Sequence, residues 1–340
     1  MIKCVVWDLD NTLLDGVYLE SSGRPPGANP VLTGVLTDLA GRGILHAIAS
    51  RNPPEACQHA QLATGHAFAA SQCGWGAKSA AISAIMAELG LASDAVAFVD
   101  DDAMERAEVS FNLPDVLVLA PEEMPEAAGW PQFSPPVVTA EARRRGELYL
   151  QRRARHEEAR AFGGSRDEFL RHSQTQVRIA PATSGDLARL HELSVRTHQF
   201  NSSGTPVPAE EFAALLGSAD HLVITVRLAD RFGDDGMVGC CVLDRSDTET
   251  WRVRLLMMSC RALGRGVIDA ALTWIGRTAL ANGAARVAVP CVINPRNVPL
   301  RIALTGAGFR TGSQAAAGQV AEYVRALSQP LPELPSWVAS

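Results

Sequence analysis

The first 120 residues alternate short apolar runs with longer segments rich in alanine and leucine. The apolar runs cover residues 4–7, 44–49, 95–99 and 116–119. Each run has the length of a strand, and the segments between the runs are long enough for helices. Such an alternation is typical of a parallel sheet flanked by helices. We therefore predict an α/β fold for this part of the chain.

The pattern changes after residue 120. Residues 121–136 carry five prolines among acidic residues and show no period, which indicates a linker. Residues 139–172 are rich in arginine, glutamate and alanine, which predicts helices with solvated charged faces. We predict a first domain over 1–120, a proline-rich linker with bridging helices over 121–174, and a second domain over 175–340.

The second half mixes strand-like and helix-like patterns without strict alternation. Helical periodicity is found at 185–197 and from residue 264 onward. These segments predict an α+β domain, with strands at 177–179, 222–227, 237–243, 251–258, 286–293 and 320–325.

Composition narrows the class of protein. The 340 residues suffice for two domains, and a net charge of −6 argues against binding of a nucleic-acid duplex, which needs a basic face. No apolar run reaches membrane-spanning length, so we expect no membrane partner. The seven cysteines show neither a CxxC pair nor regular spacing. We expect reduced thiols and a cytoplasmic protein.

The most specific chemical pattern follows the first apolar run, which ends in Asp8-Leu9-Asp10-Asn11-Thr12. Ligands of open parallel sheets bind at the carboxyl ends of the strands, where these carboxylates would lie. Phosphoryl transfer through a carboxylate needs one acid as nucleophile and another for proton transfer. We assign these roles to Asp8 and Asp10. An isolated Asp-x-Asp would instead be a turn or a helix cap.

Three further strand ends carry complementary groups in chain order. Ser50 follows the second run and has the hydroxyl to hold a phosphate oxygen, or alternatively to cap a helix. Lys78, one of only two lysines, opens a helical segment and would offset charge on a phosphorylated aspartate, unless it is simply solvated. The third group, Asp100-Asp101-Asp102, would hold Mg²⁺ beside Asp8, or form an acidic loop. Their combination favours the functional interpretation.

The second half has its own chemical candidate, the segment Arg261-Ala262-Leu263-Gly264-Arg265-Gly266 between a strand and a helix. Its glycines allow close approach of a ligand, and amides at the helix start bind an anion such as a pantetheine phosphate. A tight turn is the alternative. Cys260 precedes this loop. A thiol beside a helix start and two arginines is suited to be a nucleophilic thiolate, and a small buried cysteine that only packs is an equally good interpretation of these residues.

The first-half motifs resemble those of the haloacid-dehalogenase-like phosphatases. They are Asp8-Leu9-Asp10-Asn11-Thr12, Ser50-Arg51-Asn52, 75–78 and 99–106. More narrowly, they resemble the FkbH-like branch, and this resemblance continues through 167–170, 196–201, 231–236 and 258–266, so it covers nearly the whole chain. The loop at 261–266 is also similar to the Arg/Gln-x-x-Gly-x-Gly/Ala loop of acetyltransferase-like folds.

The resemblance implies a fold and an activity. The expected fold is α/β, with a haloacid-dehalogenase-like Rossmannoid parallel sheet followed by an acetyltransferase-like (GNAT-like) α+β domain. The implied activity is that of a bifunctional glyceryl transferase and phosphatase. It would take 1,3-bisphosphoglycerate, hold the acyl group as a thioester on Cys260, and deliver dephosphorylated glycerate to the phosphopantetheine thiol of an acyl carrier protein, for polyketide or tetronate synthesis.

The resemblance also implies site residues. Asp8, Asp10, Asp100 and Asp101 would hold Mg²⁺, and the phosphate or substrate would contact Ser50, Arg51, Asn52 and Lys78. In the second domain the expected contacts are Arg196, His198, Asn201, Arg261, Gly264, Arg265 and Gly266. His198 stands where the family more often has Asn, so we expect a polar contact there rather than a base.

Three other functions remain open from the sequence. A stand-alone Mg²⁺-dependent phosphatase would use only the first half and would be insensitive to Cys260→Ala. An acyl-CoA-dependent acyltransferase would need CoA bound in the second half. A non-enzymatic adaptor would turn over no substrate, which complete metal-ligand motifs disfavour.

Overall fold

The computed structural model describes residues 1–21, 25–135, 138–197, 199–312 and 315–339. The chain forms two compact units, residues 1–154 and 155–340. The division falls within the segment 121–174 that the sequence predicts as linker and bridging helices. Each unit has its own sheet.

The first unit is built on a five-stranded sheet in the order β3-β2-β1-β4-β5, and all neighbouring strands are parallel. The central strands are buried along their whole length, as expected for a parallel sheet covered on both faces. The order places β1 in the middle, so the residues that follow β1, β2 and β4 lie side by side at one edge. The strands are β1 Cys4–Trp7, β2 Leu45–Ser50, β3 Ala70–Cys73, β4 Val96–Val99 and β5 Leu117–Leu119.

Local signals fix where several helices of this unit begin and end. Asn29 accepts hydrogen bonds from the amides of Val31 and Leu32 and so starts α1. Gly90, with φ of 67°, ends α3 in the left-handed conformation that glycine adopts without strain. The helices are α1 Pro30–Gly41, α2 Pro54–Thr64, α3 Lys78–Leu89, α4 Ala103–Asn112, α5 Met124–Ala127, α6 Ala140–Arg143 and α7 Arg145–Ala161, within which the two units divide.

Residues 121–133 differ from the predicted linker. They form short helical segments with a proline at the first or second position, and Met124, Ala127 and Phe133 are buried in the core of the first unit. Proline is favoured at the first turn of a helix, so the prolines here start structure rather than interrupt it. This stretch belongs to the first unit.

The cysteines depart from expectation at one place. Cys57 in α2 and Cys73 at the end of β3 form a disulfide, so the expectation of reduced thiols throughout is wrong for this pair. The sequence separation of 16 residues gave no signal, because folding brings the two together. Burial raises the thiol pKa of Cys4 and Cys241, and raises that of Cys291 to about 11. These thiols are therefore suited to packing rather than to nucleophilic chemistry.

The second unit contains an eight-stranded mixed sheet in the order β11-β12-β10-β9-β8-β7-β6-β13. Only the β9–β10 and β13–β6 pairs are parallel. The strands are β6 Gln176–Pro181, β7 His221–Asp230, β8 Gly233–Asp244, β9 Thr250–Met258, β10 Arg286–Val292, β11 Arg310–Thr311, β12 Val320–Ala326 and β13 Val338–Ala339. The helices are α8 Arg166–His172, α9 Leu187–Arg196, α10 Ala209–Leu216, α11 Val267–Ala281 and α12 Val298–Gly306.

This topology confirms the predicted fold class, an α/β unit with a parallel sheet followed by an α+β unit with a mixed sheet. Among the described residues, no helix combines the length and the apolar character needed to cross a membrane.

Candidate active site

The candidate nucleophile lies at the end of the central strand. Asp8 follows β1 directly, and its backbone amide donates to the carbonyl of Val99 at 2.9 Å. The side chain is almost completely buried. A single helical turn over Leu9–Leu13 follows, in which Asn11 has φ of 50°. Asparagine tolerates this left-handed conformation better than most residues.

Asp10 is held by two hydrogen bonds. Its Oδ1 accepts from the backbone amide of Tyr18 at 2.9 Å, and its Oδ2 accepts from Asn52 Nδ2 at 3.0 Å. Asn52 Nδ2 also donates to Ser50 Oγ at 3.1 Å. Both Ser50 and Asn52 are buried. The end of β2 therefore orients Asp10, and the structure brings these three sequence-predicted residues together.

Lys78 opens α3 and points into the same edge of the sheet. Its Nζ donates to Asp8 Oδ1, to Asp100 Oδ2 at 2.8 Å and to the carbonyl of Ala49 at 3.0 Å, which uses all three ammonium donors. Burial alone would lower the pKa of Lys78, but the charges of Asp8 and Asp100 outweigh it and the pKa is raised. The ammonium therefore stays charged.

A group of three carboxylates completes this edge. Asp8, Asp100 and Asp101 each offer an oxygen within 4.8 Å of the others. Carboxylate oxygens are the hard ligands that Mg²⁺ prefers, so this donor set fits the ion. The carboxylate of Asp10 instead accepts hydrogen bonds from Tyr18 and Asn52, and it is not one of these three carboxylates.

Backbone contacts fix the loop that carries these acids. Asp100 Oδ1 accepts from the amide of Asp102 at 2.8 Å, and Asp102 caps α4 by accepting from the amide of Met104 at 2.7 Å. Arg106 Nη1 donates to the carbonyls of Asp100 and Asp101 at 2.7 and 2.8 Å. Arg106 thus fixes the backbone of this loop, and the carboxylates of Asp100 and Asp101 lie close to that of Asp8.

The electrostatics of this edge favour a bound cation. Burial raises the pKa of the Asp8 carboxyl to about 6; the charge of Lys78 opposes the shift and that of Asp100 adds to it. Burial, followed by the charge of Asp100, also raises the pKa of Asp101. Crowded carboxylates of this kind are stabilised when a metal ion supplies positive charge.

Two glutamates of α4 contribute although the sequence gave them no role. Glu105 pairs with Arg51 at 2.8 Å, and Arg51 Nε donates to the carbonyl of Gly76 at 3.3 Å. Glu108 accepts from the amide of Ser79 at 3.1 Å and from its hydroxyl, which anchors the first turn of α3 next to Lys78. In the sequence, the only indication of these contacts was the spacing of the two glutamates on one helix face, because their partners lie in distant segments of the chain.

In the second unit, Cys260 lies where β9 gives way to a short helical turn, Cys260–Ala262, and its side chain is partly exposed. Gly264 and Gly266 follow with φ of 71° and 68°, a region that glycine enters freely. Helix α11 then begins at Val267. This is the strand, glycine loop and helix expected from the sequence.

The two arginines of this loop point inward. Arg261 Nη1 donates to the carbonyl of Asp235 at 2.6 Å. Arg265 pairs with Asp230 at 2.6 Å and with Asp235, and both guanidinium groups are buried. Arg155 also pairs with Asp230, at 3.0 Å through Nη2. The guanidinium of Arg265 is therefore part of a buried ionic cluster. From the sequence it was expected to contact a phosphate instead.

Two other expected contacts of the second unit, Arg196 and Asn201, bind residues close to them in the chain. Arg196 pairs with Glu192 at 3.4 Å within α9. Asn201 is buried, and its Oδ1 accepts from Ser203 and from the amide of Gly204 at 3.2 Å. Its Nδ2 donates to the carbonyl of Thr197 at 3.2 Å, so its amide organises a turn. His198 lies outside the described residues.

No protein-family model and no curated protein sequence matches the chain. Solved structures match parts of the chain. The N-terminal part of protein BF1531 from Bacteroides fragilis, which contains a phosphatase domain complexed with Mg, is 26% identical with a TM-score of 0.32, over 37% of this chain and 38% of that chain.

Two acetyltransferase structures each match a little under half of the chain. The GNAT domain of S. lividans PAT is 18% identical with a TM-score of 0.35, over 44% of this chain and 89% of that chain. Mutant forms of the spermidine/spermine N-acetyltransferase SpeG from Vibrio cholerae are 12% identical with a TM-score of 0.35, over 45% of this chain and 95% of that chain.

Proposed function

We propose that the first unit is a Mg²⁺-dependent phosphatase that forms a phosphoryl intermediate on Asp8. The observation that carries this proposal is the meeting of Asp8 with Lys78, Asp100 and Asp101 at the carboxyl edge of the sheet. A buried nucleophilic carboxylate, a charged ammonium and a set of hard oxygen ligands are what phosphoryl transfer to an aspartate requires.

The residues divide the reaction between them. Asp8 attacks phosphorus in line, the ester P–O bond breaks, and Asp10 gives a proton to the leaving alkoxide. Asp10 then takes a proton from the water that hydrolyses the phosphoaspartate. Lys78 offsets charge on the transferring group. When bound, Mg²⁺ would be held by Asp8, Asp100 and Asp101 and would supply further positive charge.

Ser50 and Asn52 support this division of roles. Ser50 Oγ lies at the end of β2, where a hydroxyl is able to donate to a phosphate oxygen, and Asn52 links it to Asp10. The hydrogen bonds to Asp10 fix the direction of its carboxylate. Proton transfer in the transition state depends on such positioning.

We propose further that the chain acts as a glyceryl transferase on an acyl carrier protein, as its resemblance to the FkbH-like family implies. Cys260 would attack the acyl phosphate of 1,3-bisphosphoglycerate, form a thioester and release phosphate. The first unit would remove the remaining phosphate, and the glyceryl group would pass to the phosphopantetheine thiol of the carrier. The partly exposed position of Cys260 at a strand-to-helix turn supports this role.

The test is intact-protein mass spectrometry after mixing the enzyme, Mg²⁺, a system that generates 1,3-bisphosphoglycerate, and a phosphopantetheinylated carrier protein. The expected result is glyceryl mass on the carrier, phosphoglyceryl species with Asp8→Asn, and no transfer with Cys260→Ala. Phosphatase turnover without any acyl adduct would reject the transferase and leave the phosphatase.

A further inference from the structure

Three large apolar side chains are exposed at one edge of the first unit's sheet. Leu19 is 58% exposed, Trp75 69% and Met104 78%. They lie in the segments that follow β1, β3 and β4. Because all neighbouring strands of this sheet are parallel, such segments begin at the carboxyl edge, where Asp8 also lies. Leu19, Trp75 and Met104 are together called the apolar rim.

Leu19 is placed next to the acid of the proposed reaction. It follows Tyr18, whose backbone amide donates to Asp10 Oδ1 at 2.9 Å. Asp10 protonates the leaving oxygen in the proposed mechanism, so this oxygen must lie within hydrogen-bond distance of its carboxylate. The alcohol part of a phosphate ester therefore begins beside Asp10, close to the segment that carries Leu19.

Trp75 and Met104 are connected through Arg51. Its Nε donates to the carbonyl of Gly76, the residue after Trp75, at 3.3 Å. Its Nη1 pairs at 2.8 Å with Glu105, the residue after Met104. The two segments are thus joined through one guanidinium group, at the edge of the sheet that carries the candidate active site.

The depth of the candidate site decides which part of a substrate meets the rim. Asp8 and Lys78, which would contact the phosphoryl group, are buried, whereas the three rim residues are exposed. Only the phosphate end of an ester is able to reach Asp8. The rest of the alcohol stays outside, at the edge of the sheet that carries the rim.

The chemistry of the rim favours an apolar ligand. Tryptophan and methionine gain from covering apolar surface, and methionine adapts its shape to different partners. Large apolar side chains exposed around a polar site mark a binding surface. The charge of Arg51 between them is paired with Glu105, so the rim does not require a negatively charged alcohol.

We propose that the apolar rim binds the alcohol part of the substrate, and that the first unit is specific for phosphate esters of alcohols with an extended apolar part. The inference rests on the proposed phosphatase function, because it takes Asp8 and Asp10 as the groups that react. Leu19, Trp75 and Met104 act as specificity residues, since they contact the alcohol and not the transferring phosphoryl group.

The test compares the kcat/KM values of ethyl phosphate and hexyl phosphate, with the full chain and Mg²⁺. The two esters have nearly the same reactivity, so the ratio of their kcat/KM values measures the binding of the longer chain. Each methylene that is removed from water contributes a factor of about two to four. We expect hexyl phosphate to have the higher kcat/KM, by at least about tenfold.

Trp75→Ala should lower this ratio by about three- to tenfold and leave the kcat/KM of ethyl phosphate within about twofold, because a short chain has little surface to place on the rim. Leu62→Ala and Phe111→Ala are the matched controls. These side chains are 83% and 86% exposed, and they lie in the last turns of α2 and α4, which lead away from the carboxyl edge. Neither control should change the ratio.

Equal kcat/KM values for the two esters in the wild type would overturn the rim as a binding surface. A preference for hexyl phosphate that persists when all three rim residues are replaced by alanine would overturn the assignment to these residues, as would an equal loss in the controls. If neither ester is hydrolysed, the phosphatase itself is rejected and the inference falls with it. Because the wild type supplies the first readout, a variant that fails to fold leaves the test intact.

Discussion

The side-chain amide of Asn52 donates a hydrogen bond to Asp10 Oδ2 at 3.0 Å. Asp10 receives its other hydrogen bond from a backbone amide, that of Tyr18, so Asn52 is the side chain that aims its carboxylate. Asn52 reaches neither the three-carboxylate group nor Lys78 by any hydrogen bond described here. It is therefore a positioning residue for the acid and base of the proposed reaction.

Asn52→Ala should lower kcat by about 10²-fold, because proton transfer depends on the orientation of Asp10. KM should change little if the phosphate is held mainly by other groups. Steady-state kinetics with a phosphate monoester would measure both. Asn282→Ala, which removes an exposed amide at the end of α11, is the control. An unchanged kcat for Asn52→Ala would show that Asp10 needs no such partner.

Arg265→Ala should destabilise the second unit by about 3–5 kcal/mol, because Asp230 and Asp235 would keep buried charges with fewer partners. Arg252→Ala, which breaks an ion pair between half-exposed side chains with Glu322, should cost less than about 1 kcal/mol. Denaturant unfolding of both variants gives the comparison. Equal midpoints for the two variants would mean that Arg265 is not part of a stabilising cluster.

The disulfide between Cys57 and Cys73 predicts a thiol count. Alkylation of the denatured, unreduced protein should modify five cysteines, and reduction should expose the other two. Reduction should also lower the free energy of unfolding of the first unit by about 3 kcal/mol, the value for closure of a loop of this length. Mass spectrometry counts the modified thiols. Seven alkylated cysteines before reduction would contradict the disulfide.

Buried His46 should make the first unit sensitive to acid. Its Nδ1 accepts from Trp7 Nε1 at 3.0 Å, and burial, with the nearby charge of His66, lowers the His46 pKa from 6.5 to about 3. Below pH 6.5 the unfolded state takes up a proton that the folded state refuses, so this contribution to stability is complete above pH 6.5. It is lost as the pH falls towards 3, by about 1.4 kcal/mol per pH unit.

The raised pKa of Asp8 acts in the opposite direction over part of this range, so the contribution of His46 is the difference in slope between the wild type and His46→Gln, measured by unfolding of the first unit at several pH values between 4 and 7. His46→Gln keeps an acceptor for Trp7 and should lower the slope by about 1.4 kcal/mol per pH unit. If the variant and the wild type show the same slope, other groups cause the acid sensitivity.

The sequence predicted those strands of the first unit that hydrophobicity alone identifies. The buried strands β1, β2 and β4 are mostly apolar, and their predicted bounds agree with the structure within one residue. Strand β3 was missed, because Ala70–Cys73 contains no β-branched residue and three of its four residues are only half-buried. Its place in the sheet comes from pairing with β2, which a local pattern does not reveal.

The candidate site was predictable for a geometric reason. Groups that follow parallel strands converge at one edge, so Asp8, Ser50 and Asp100 were expected together from their positions alone. Contacts between residues that are far apart in the sequence were not predictable. Glu108 accepts a hydrogen bond from Ser79, 29 residues away in the sequence, and Arg265 pairs with Asp235, 30 residues away. Only the folded chain brings the members of each pair together. The hydrogen bond from the amide of Leu256 to Ser202 Oγ spans 54 residues and belongs to the same class.

The most direct test of the phosphatase is to measure Mg²⁺-dependent hydrolysis of a phosphate monoester and to map phosphate on the acid-quenched protein. Asp15→Asn, an exposed aspartate close in sequence, is the matched control for Asp8→Asn. We predict phosphate on Asp8 in the wild type, near-normal turnover for Asp15→Asn, and a loss of at least about 10³-fold for Asp8→Asn. Wild-type turnover by Asp8→Asn would contradict the assignment of Asp8 as nucleophile.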